Sequence, residues 1–281
     1  MAPASRKPEP AGRIRFAGTR VPSPGPRIDL SGQAAIVTGG SRGIGRATVE
    51  ALAQAGASVV FSFHRNRAAA EEVVERAGAD RVVAVRADVS QPRDADRLVE
   101  AARRRHHRVD VLVNNAGIWD PPGGTPFENL SERAWRRTMA INLDGAHLVT
   151  RRVIPLMKRR RSGRIVFVSS TAGQRGEERH GEYAATKGAL ISLTKSLAVE
   201  LGPHGILVNA VAPWWVDTDM SHAALVRLRR GRELKRGEWS PLDRVAAPEE
   251  IAGPILFLCS HLATYVTGEI LNVNGGTILC G

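Results

Sequence analysis

Tyr183 and Lys187 stand four residues apart in the run Tyr183-Ala184-Ala185-Thr186-Lys187. On a helix, side chains at that spacing share one face. A free phenol loses its proton near pH ~10. A neighbouring ammonium favours the phenolate, which would let Tyr183 exchange protons near neutral pH. The spacing alone is common, but its context narrows it. Ser170, 13 residues earlier (183 − 170), follows the apolar run Ile165-Val166-Phe167-Val168. If that run is a strand of an open α/β sheet, Ser170 lies at its carboxyl end, where ligands sit in such sheets.

A second constellation is Thr38-Gly39-Gly40-Ser41-Arg42-Gly43-Ile44-Gly45-Arg46, after an apolar run and before a helical stretch. Gly39, Gly43 and Gly45 let the chain turn tightly, let backbone approach a pyrophosphate and let helix pack on strand. A helix N-terminus placed there aims free N–H groups at phosphate. The strand–turn–helix setting makes this a dinucleotide signature rather than an ordinary glycine-rich turn.

The next strand ends Phe61-Ser62-Phe63-His64-Arg65. An NAD site usually places Asp or Glu there for the ribose 2′-hydroxyl. This chain has Phe63, then His64 and Arg65, with Arg42 in the glycine loop. Arginines would clamp a 2′-phosphate that a carboxylate would repel. NADP(H) is therefore expected over NAD(H). The competing reading is that Arg65 and Arg67 only decorate the following helix.

Elements must hold these groups in place. Apolar runs predict strands over 34–38, 58–63, 82–86, 109–114, 164–169, 207–211 and 270–273. Helices are predicted over 44–54, 68–77, 95–105, 132–160, 182–201 and 248–260. Ser131 before Glu132, and Pro248 before Glu249 and Glu250, read as helix starts. Strands alternating with helices imply βαβ crossovers and a parallel sheet covered on both faces. The expected fold is α/β: one Rossmann-type, doubly wound, seven-stranded parallel sheet. Residues 28–281 would form that single domain, with a substrate lid at about 217–240. Residues 1–27 hold six prolines and no apolar period, and read as a disordered arm.

The formal net charge is +12, which raises nucleic acid as a partner. However, of 40 basic residues only Lys7, Lys158, Lys187, Lys195 and Lys235 are lysine. That skew reads as codon bias, and clusters such as Arg103-Arg104-Arg105 fall at predicted helix ends, where cations suit the dipole. No zinc-finger, RNP-type or helix-turn-helix signature accompanies the charge. Cys259 and Cys280 cannot form a disulfide framework and lack metal-ligand spacing, so no metal is expected and a cytoplasmic setting fits. No apolar run is long enough to cross a bilayer.

In its motifs and their order the chain resembles the short-chain dehydrogenase/reductase family, in the branch holding 3-oxoacyl-carrier-protein reductases and glucose 1-dehydrogenases. The motifs are the Gly39 to Gly45 loop, Asp88-Val89, Asn114-Asn115-Ala116-Gly117, Asn142, Ser170, Tyr183 with Lys187, and Asn274-Gly275-Gly276. The resemblance covers about Leu30 to the C-terminus. It implies hydride transfer between nicotinamide and a ketone or secondary alcohol (EC 1.1.1.-). Tyr183 would donate the proton, and Ser170 would hydrogen-bond the substrate oxygen. Lys187 would lower the pKa of Tyr183 and hold the nicotinamide ribose, and Asn142 would anchor a water relay. Asp88 and Val89 would border the adenine. Asn115, Ala116 and Gly117 would floor the cofactor site, beside Ser41 and Ile44 of the glycine loop. Pro213, Val216 and Thr218 would meet the nicotinamide end.

One departure stands out. Where the family commonly has Pro-Gly, this chain has Pro213-Trp214, and glycine allows backbone shapes that Trp resists. Trp214 either turns outward or lines the pocket and stacks on a flat substrate. Trp119, Gln174, Trp214 and Trp215 are the expected pocket residues. A lid carrying Arg227, Arg229, Arg230, Arg232, Lys235 and Arg236 suggests an anionic or carrier-bound substrate, or merely a solvated helix. Arg161, with His204 as a weaker second, resembles a carrier-docking position.

The expected function is an NADPH-dependent carbonyl reductase of a specialised pathway. The alternatives are a 3-oxoacyl-carrier-protein reductase, a sugar or polyol dehydrogenase, and a catalytically idle NADP-binding module. The last needs none of Ser170, Tyr183, Lys187 or Asn142. A homotetramer through the long helices is expected, with Ala189, Leu193 and Leu197 on an apolar stripe that core packing would explain equally well.

Overall fold

Runs rich in Val, Ile and Phe form seven strands: β1 (Ala34–Val37), β2 (Ser58–Phe63), β3 (Val82–Arg86), β4 (Val111–Asn114), β5 (Gly163–Val168), β6 (Ile206–Pro213) and β7 (Ile270–Val273). In the computed structural model, which describes residues 27–119, 124–231 and 240–279, they make one sheet. Its order is β3-β2-β1-β4-β5-β6-β7, and every neighbouring pair is parallel.

Side chains of a strand alternate between faces, and both faces here are covered. Ala35 and Val37 of β1, Val59 and Phe61 of β2, and Val111 and Val113 of β4 pack on one side. There they meet α1 (Gly43–Gln54), α2 (Arg67–Ala77) and α9 (Pro248–Cys259). Ile36, Val60, Leu112, Ile165 and Phe167 face the other way. They meet α3 (Pro92–His106), α5 (Gly145–Arg160) and α7 (Gly181–Leu201). This is the expected Rossmann-type, doubly wound fold. The chain winds outward from β1 to β3, then returns to β4 on the other side of β1. The crevice at that reversal, at the carboxyl ends of β1 and β4, is where such sheets bind ligands.

Two predicted helix starts are capped as their residues suggest. Ser131 accepts from the Ala134 N–H, and the Glu250 carboxylate accepts from the Ala247 N–H. One predicted helix is wrong in kind. The stretch 132–160 is not a single α-helix: α4 (Glu132–Met139) runs through a π-helical turn, Ala140–Asp144, into α5. The wider turn accommodates an extra residue, and Asn142 sits inside it. A short helix, α6 (Ala172–Arg175), lies outside the predicted helices, and α8 (Asp219–Gly231) occupies the stretch read as a lid or a solvated helix. α8 begins the expected lid. Residues 232–239, the side chains of 227–231, the arm up to residue 26 and Asp120-Pro121-Pro122 lie outside the described residues. Among the described residues no helix is long and apolar enough to cross a membrane.

Candidate active site

The carboxyl end of the sheet carries a cleft of about 500 Å³. Its phosphate end is built from backbone. Gly39 and Gly43 have φ of +69° and +52°, conformations that L side chains rarely adopt. A Cβ at Gly45 would collide with the Gly39 carbonyl oxygen and come within 2.5 Å of Asn115 Nδ2. One at Gly43 would press on Thr218 Cγ2 at 3.1 Å. The Gly39 N–H donates to Ser62 Oγ at 3.0 Å and the Gly40 N–H to Ser62 O at 2.9 Å, which fixes the loop on β2. Arg42, at the N-cap of α1, makes no side-chain cap hydrogen bond.

Ser41, Arg42, Gly43, Ile44, Phe63, His64, Arg65, Asp88 and Val89 all line this half of the cleft. No carboxylate ends β2, as the sequence indicated. Arg42 and Asp219, both exposed, approach at 3.7 Å, and His64 lies 3.8 Å from Asp88. Asp88 Oδ1 accepts from the Ser90 N–H and hydroxyl. Asn115, Ala116 and Gly117 line the cleft as expected, and Asn115 has a local role as well. Its Nδ2 donates to Thr38 O and Gly39 O, so its side chain staples β4 to the glycine loop.

At the other end α7 brings Tyr183 and Lys187 beside Ser170, and all three line the cleft. Their electrostatics differ from expectation. Burial raises the Tyr183 phenol above its ordinary pKa, a hydrogen bond with Ser170 opposes the rise, and the Glu177 charge adds to it. Lys187 Nζ donates to Val168 O at 2.7 Å and sits 5.5 Å from the Tyr183 ring centroid. Burial pushes Lys187 itself down to about 8. The physical reason is desolvation: both groups are buried, which disfavours the charged form of each.

Asn142 is buried, and the π turn aims its amide at residue 118. Its Oδ1 accepts from the Ile118 N–H at 2.8 Å, and its Nδ2 donates to Ile118 O at 2.9 Å and Thr186 Oγ1 at 3.3 Å. A Cβ on Gly117 would touch Asn142 Oδ1 and Lys187 Nζ, so these three residues meet.

Pro213, Trp214, Trp215, Val216 and Thr218 line the cleft after β6. Trp214 is not among the residues with positive φ, so it does not strain the backbone there. Its ring carries the Arg175 guanidinium 4.3 Å from its centroid and meets Trp215 edge-on at 5.8 Å. It therefore lines the cleft while its ring is also engaged by Arg175. Trp119 stacks on His180 at 4.4 Å and meets Trp215 at 5.7 Å.

Gln174 is a correction. Its Nε2 donates to Asn272 Oδ1 at 2.8 Å, which ties α6 to β7, and it does not line the cleft. Conversely, Glu177, Arg137, Ile141 and Met220 line it unanticipated. Glu177 could have been found: it lies in the loop that must connect Ser170 to Tyr183.

Two surface expectations also meet their surroundings. The Arg161 guanidinium donates to Pro203 O at 3.0 Å, next to His204. Leu193 and Leu197 are only partly buried against the core.

A family model described as enoyl-(acyl carrier protein) reductase matches residues 39–277. The 3-oxoacyl-(acyl-carrier-protein) reductase of Aquifex aeolicus (strain VF5) is 40% identical over 252 residues, 89% of this chain and 98% of that protein. Human dehydrogenase/reductase SDR family member 4 is 36% identical over 252 residues, 89% of each chain. Among solved structures, the 3-ketoacyl-(acyl-carrier-protein) reductase from Brucella melitensis complexed with NADH superposes with a TM-score of 0.82 at 35% identity. The match covers 89% of this chain and all of that one.

Proposed function

This chain belongs to the short-chain dehydrogenase/reductase family, and from that premise we propose that it is an NADPH-dependent 3-oxoacyl reductase whose substrate is presented as a carrier thioester. It is an oxidoreductase of keto and hydroxyl groups that uses a nicotinamide cofactor. The finer reading rests first on one observation: Ser170, Tyr183 and Lys187 line the same cleft as the glycine loop.

The cleft fits a dinucleotide. Gly39, Gly43 and Gly45 line it where side chains would collide with Ala116, Thr218 and the Gly39 carbonyl, so the loop stays close to the cleft, and the α1 N-terminus lies there to meet a pyrophosphate. Arg42, His64 and Arg65 would hold a 2′-phosphate. Asp88 and Val89 would flank the adenine, with Asn115, Ala116 and Gly117 beneath. Pro213, Val216 and Thr218 would orient the nicotinamide, which when bound supplies the hydride.

The remaining work belongs to side chains. Tyr183 with a raised pKa holds its proton at neutral pH, the state a proton donor in reduction requires. It would pass that proton to the carbonyl oxygen as negative charge develops there, while Ser170 donates a hydrogen bond to the same oxygen. Lys187 would hold the ribose with its ammonium, and Asn142 would carry the path that restores the proton.

The extent of similarity to 3-oxoacyl-carrier-protein reductases favours that activity over a specialised carbonyl reductase. A specific observation keeps the second reading: Trp119, Trp214 and Trp215 make the substrate end aromatic, as suits a compact or flat ketone. The test compares NADPH-dependent reduction of a 3-oxoacyl thioester with that of an aryl ketone. Higher kcat/KM for the thioester supports the first reading, and the reverse order supports the second. A homotetramer through α5 and α7 is part of the same proposal, and a monomer mass in sedimentation at micromolar protein would reject it.

A further inference from the structure

Glu177 lines the cleft together with Ser170, Tyr183, Trp119 and Trp215. The Trp119 side chain stands close enough to act on its carboxyl as a donor, and its charge reaches Tyr183. Trp119 is itself held on two further sides, its face on His180 and its edge on Trp215. The carboxylate therefore sits beside a fixed donor.

A carboxylate offers about four acceptor positions, and Trp119 can fill one. Burial raises the Glu177 pKa above the ordinary carboxylate value, so the charged form lacks the solvation it would have in water. A ligand that supplies a hydrogen-bond donor would make good that deficit. A purely alkyl ligand would displace water from the carboxylate and give nothing back. An anion would be repelled, which runs against the anionic substrate suggested by the basic lid. A cation is also disfavoured, because Arg175 already lies close enough to act on Glu177 and Arg137 lines the same cleft.

We propose that Glu177, beside Trp119, is a specificity-determining residue that selects carbonyl substrates bearing a neutral hydrogen-bond donor, a hydroxyl or an amide N–H, within a few bonds of the reacting carbon. The inference rests on the reductase reading and narrows its substrate class. Within a carrier-borne substrate the donor would be an amide of the arm. Within a free ketone it would be a hydroxyl.

The experiment uses the full chain with NADPH and four 3-oxo esters matched in length: plain alkyl, hydroxyl-bearing, amide-bearing and ammonium-bearing. The wild type should favour the hydroxyl or amide ester over the alkyl ester by roughly tenfold or more in kcat/KM, since a site built to bond a donor rejects an analogue lacking it. Preference for the amide points to a carrier arm, and for the hydroxyl to a free ketone. Glu177→Ala should bring that ratio to about one. Glu177→Gln, which keeps an acceptor oxygen without charge, should retain part of it. An unchanged ratio in Glu177→Ala overturns the proposal. So does a wild-type preference for the ammonium ester that Glu177→Gln abolishes, because recognition would then be of charge. If the wild type binds NADPH yet reduces none of the esters, the reductase reading itself fails and the inference falls with it. A loss of selectivity without loss of NADPH-induced tryptophan quenching separates a role in specificity from mere support of Trp119.

Discussion

The two ends of the cleft are made from different materials. The phosphate end is backbone and absence: glycines at 39, 43 and 45, amides at the start of α1, and a loop fixed by Ser62 and Asn115. The carbonyl end is side chain: Tyr183, Lys187, Ser170, three tryptophans and Glu177. Backbone can serve a ligand that never changes, because every such ligand carries the same pyrophosphate. Side chains at loop ends can be exchanged without disturbing the sheet, so they suit the part of the ligand that defines the reaction and its specificity.

That contrast predicts different failures. At the carbonyl end the largest effect should come from Tyr183→Phe, which deletes the proposed proton donor and little volume. Turnover should fall by roughly 10²–10⁴, while NADPH binding, followed by tryptophan fluorescence, stays within about threefold. Near-normal turnover would remove Tyr183 from the chemistry.

Lys187 gives a prediction whose sign is fixed by linkage. Its pKa in the folded chain, about 8, lies below its ordinary 10.5. Between those values the unfolded chain binds a proton that the folded chain does not, so stability rises with pH across that window. Below pH 8 both states are protonated and the cost of burial is constant. Relative to Lys187→Met, the wild type should gain up to about 3 kcal/mol between pH 8 and pH 10.5, read by denaturant unfolding without cofactor. A flat difference would mean that Lys187 keeps its charge freely inside the fold.

At the phosphate end the failure should be one of packing. Gly45→Ala puts a methyl group against the Gly39 carbonyl and the Asn115 amide. Forcing them apart should cost about 1–3 kcal/mol of stability and weaken NADPH and NADH alike. Arg42→Ala and Arg65→Ala act more selectively. Each charge-assisted bond to a phosphate contributes about 1.5–3 kcal/mol, so each change should weaken NADPH by roughly ten- to a hundredfold. NADH should be nearly indifferent. Equal losses for both cofactors would end the 2′-phosphate reading.

The same contrast explains what was legible in the residues. Glycine loops and buried strands announce themselves locally, and β2, β3 and β7 fall where the apolar runs put them. Ser170, Tyr183 and Lys187, the proposed catalytic set, were legible because their spacing is short and their chemistry specific. The π turn was not, since Ala140 to Asp144 read as ordinary helix and only the tertiary demand of Ile118 on Asn142 opens it. Gln174 misled because a polar loop residue between Ser170 and Tyr183 can turn either way, and Asn272 on β7 captured it. The pKa of Tyr183 misled because its sign depends on burial, which a four-residue spacing does not report.

The smallest expected effect probes the least expected residue. Trp214 stands where the family commonly has glycine, yet it takes no left-handed backbone conformation. Glycine there is thus no conformational necessity in this chain, and Trp214→Gly should fold with little gain in strain relief. What it removes is an aromatic wall and the seat of Arg175, a cation–π contact worth about 0.5–1 kcal/mol at an exposed site. Because Arg175 already engages that ring, a flat substrate cannot draw the full benefit of stacking on it. The selectivity for aryl over alkyl ketones should therefore drop only about two- to fivefold, in keeping with a contact of 1 kcal/mol or less. A loss of tenfold or more in that ratio would mean that Arg175 swings away when substrate enters and that Trp214 meets the substrate directly. No change at all would leave Trp119 and Trp215 as the aromatic surfaces the substrate feels.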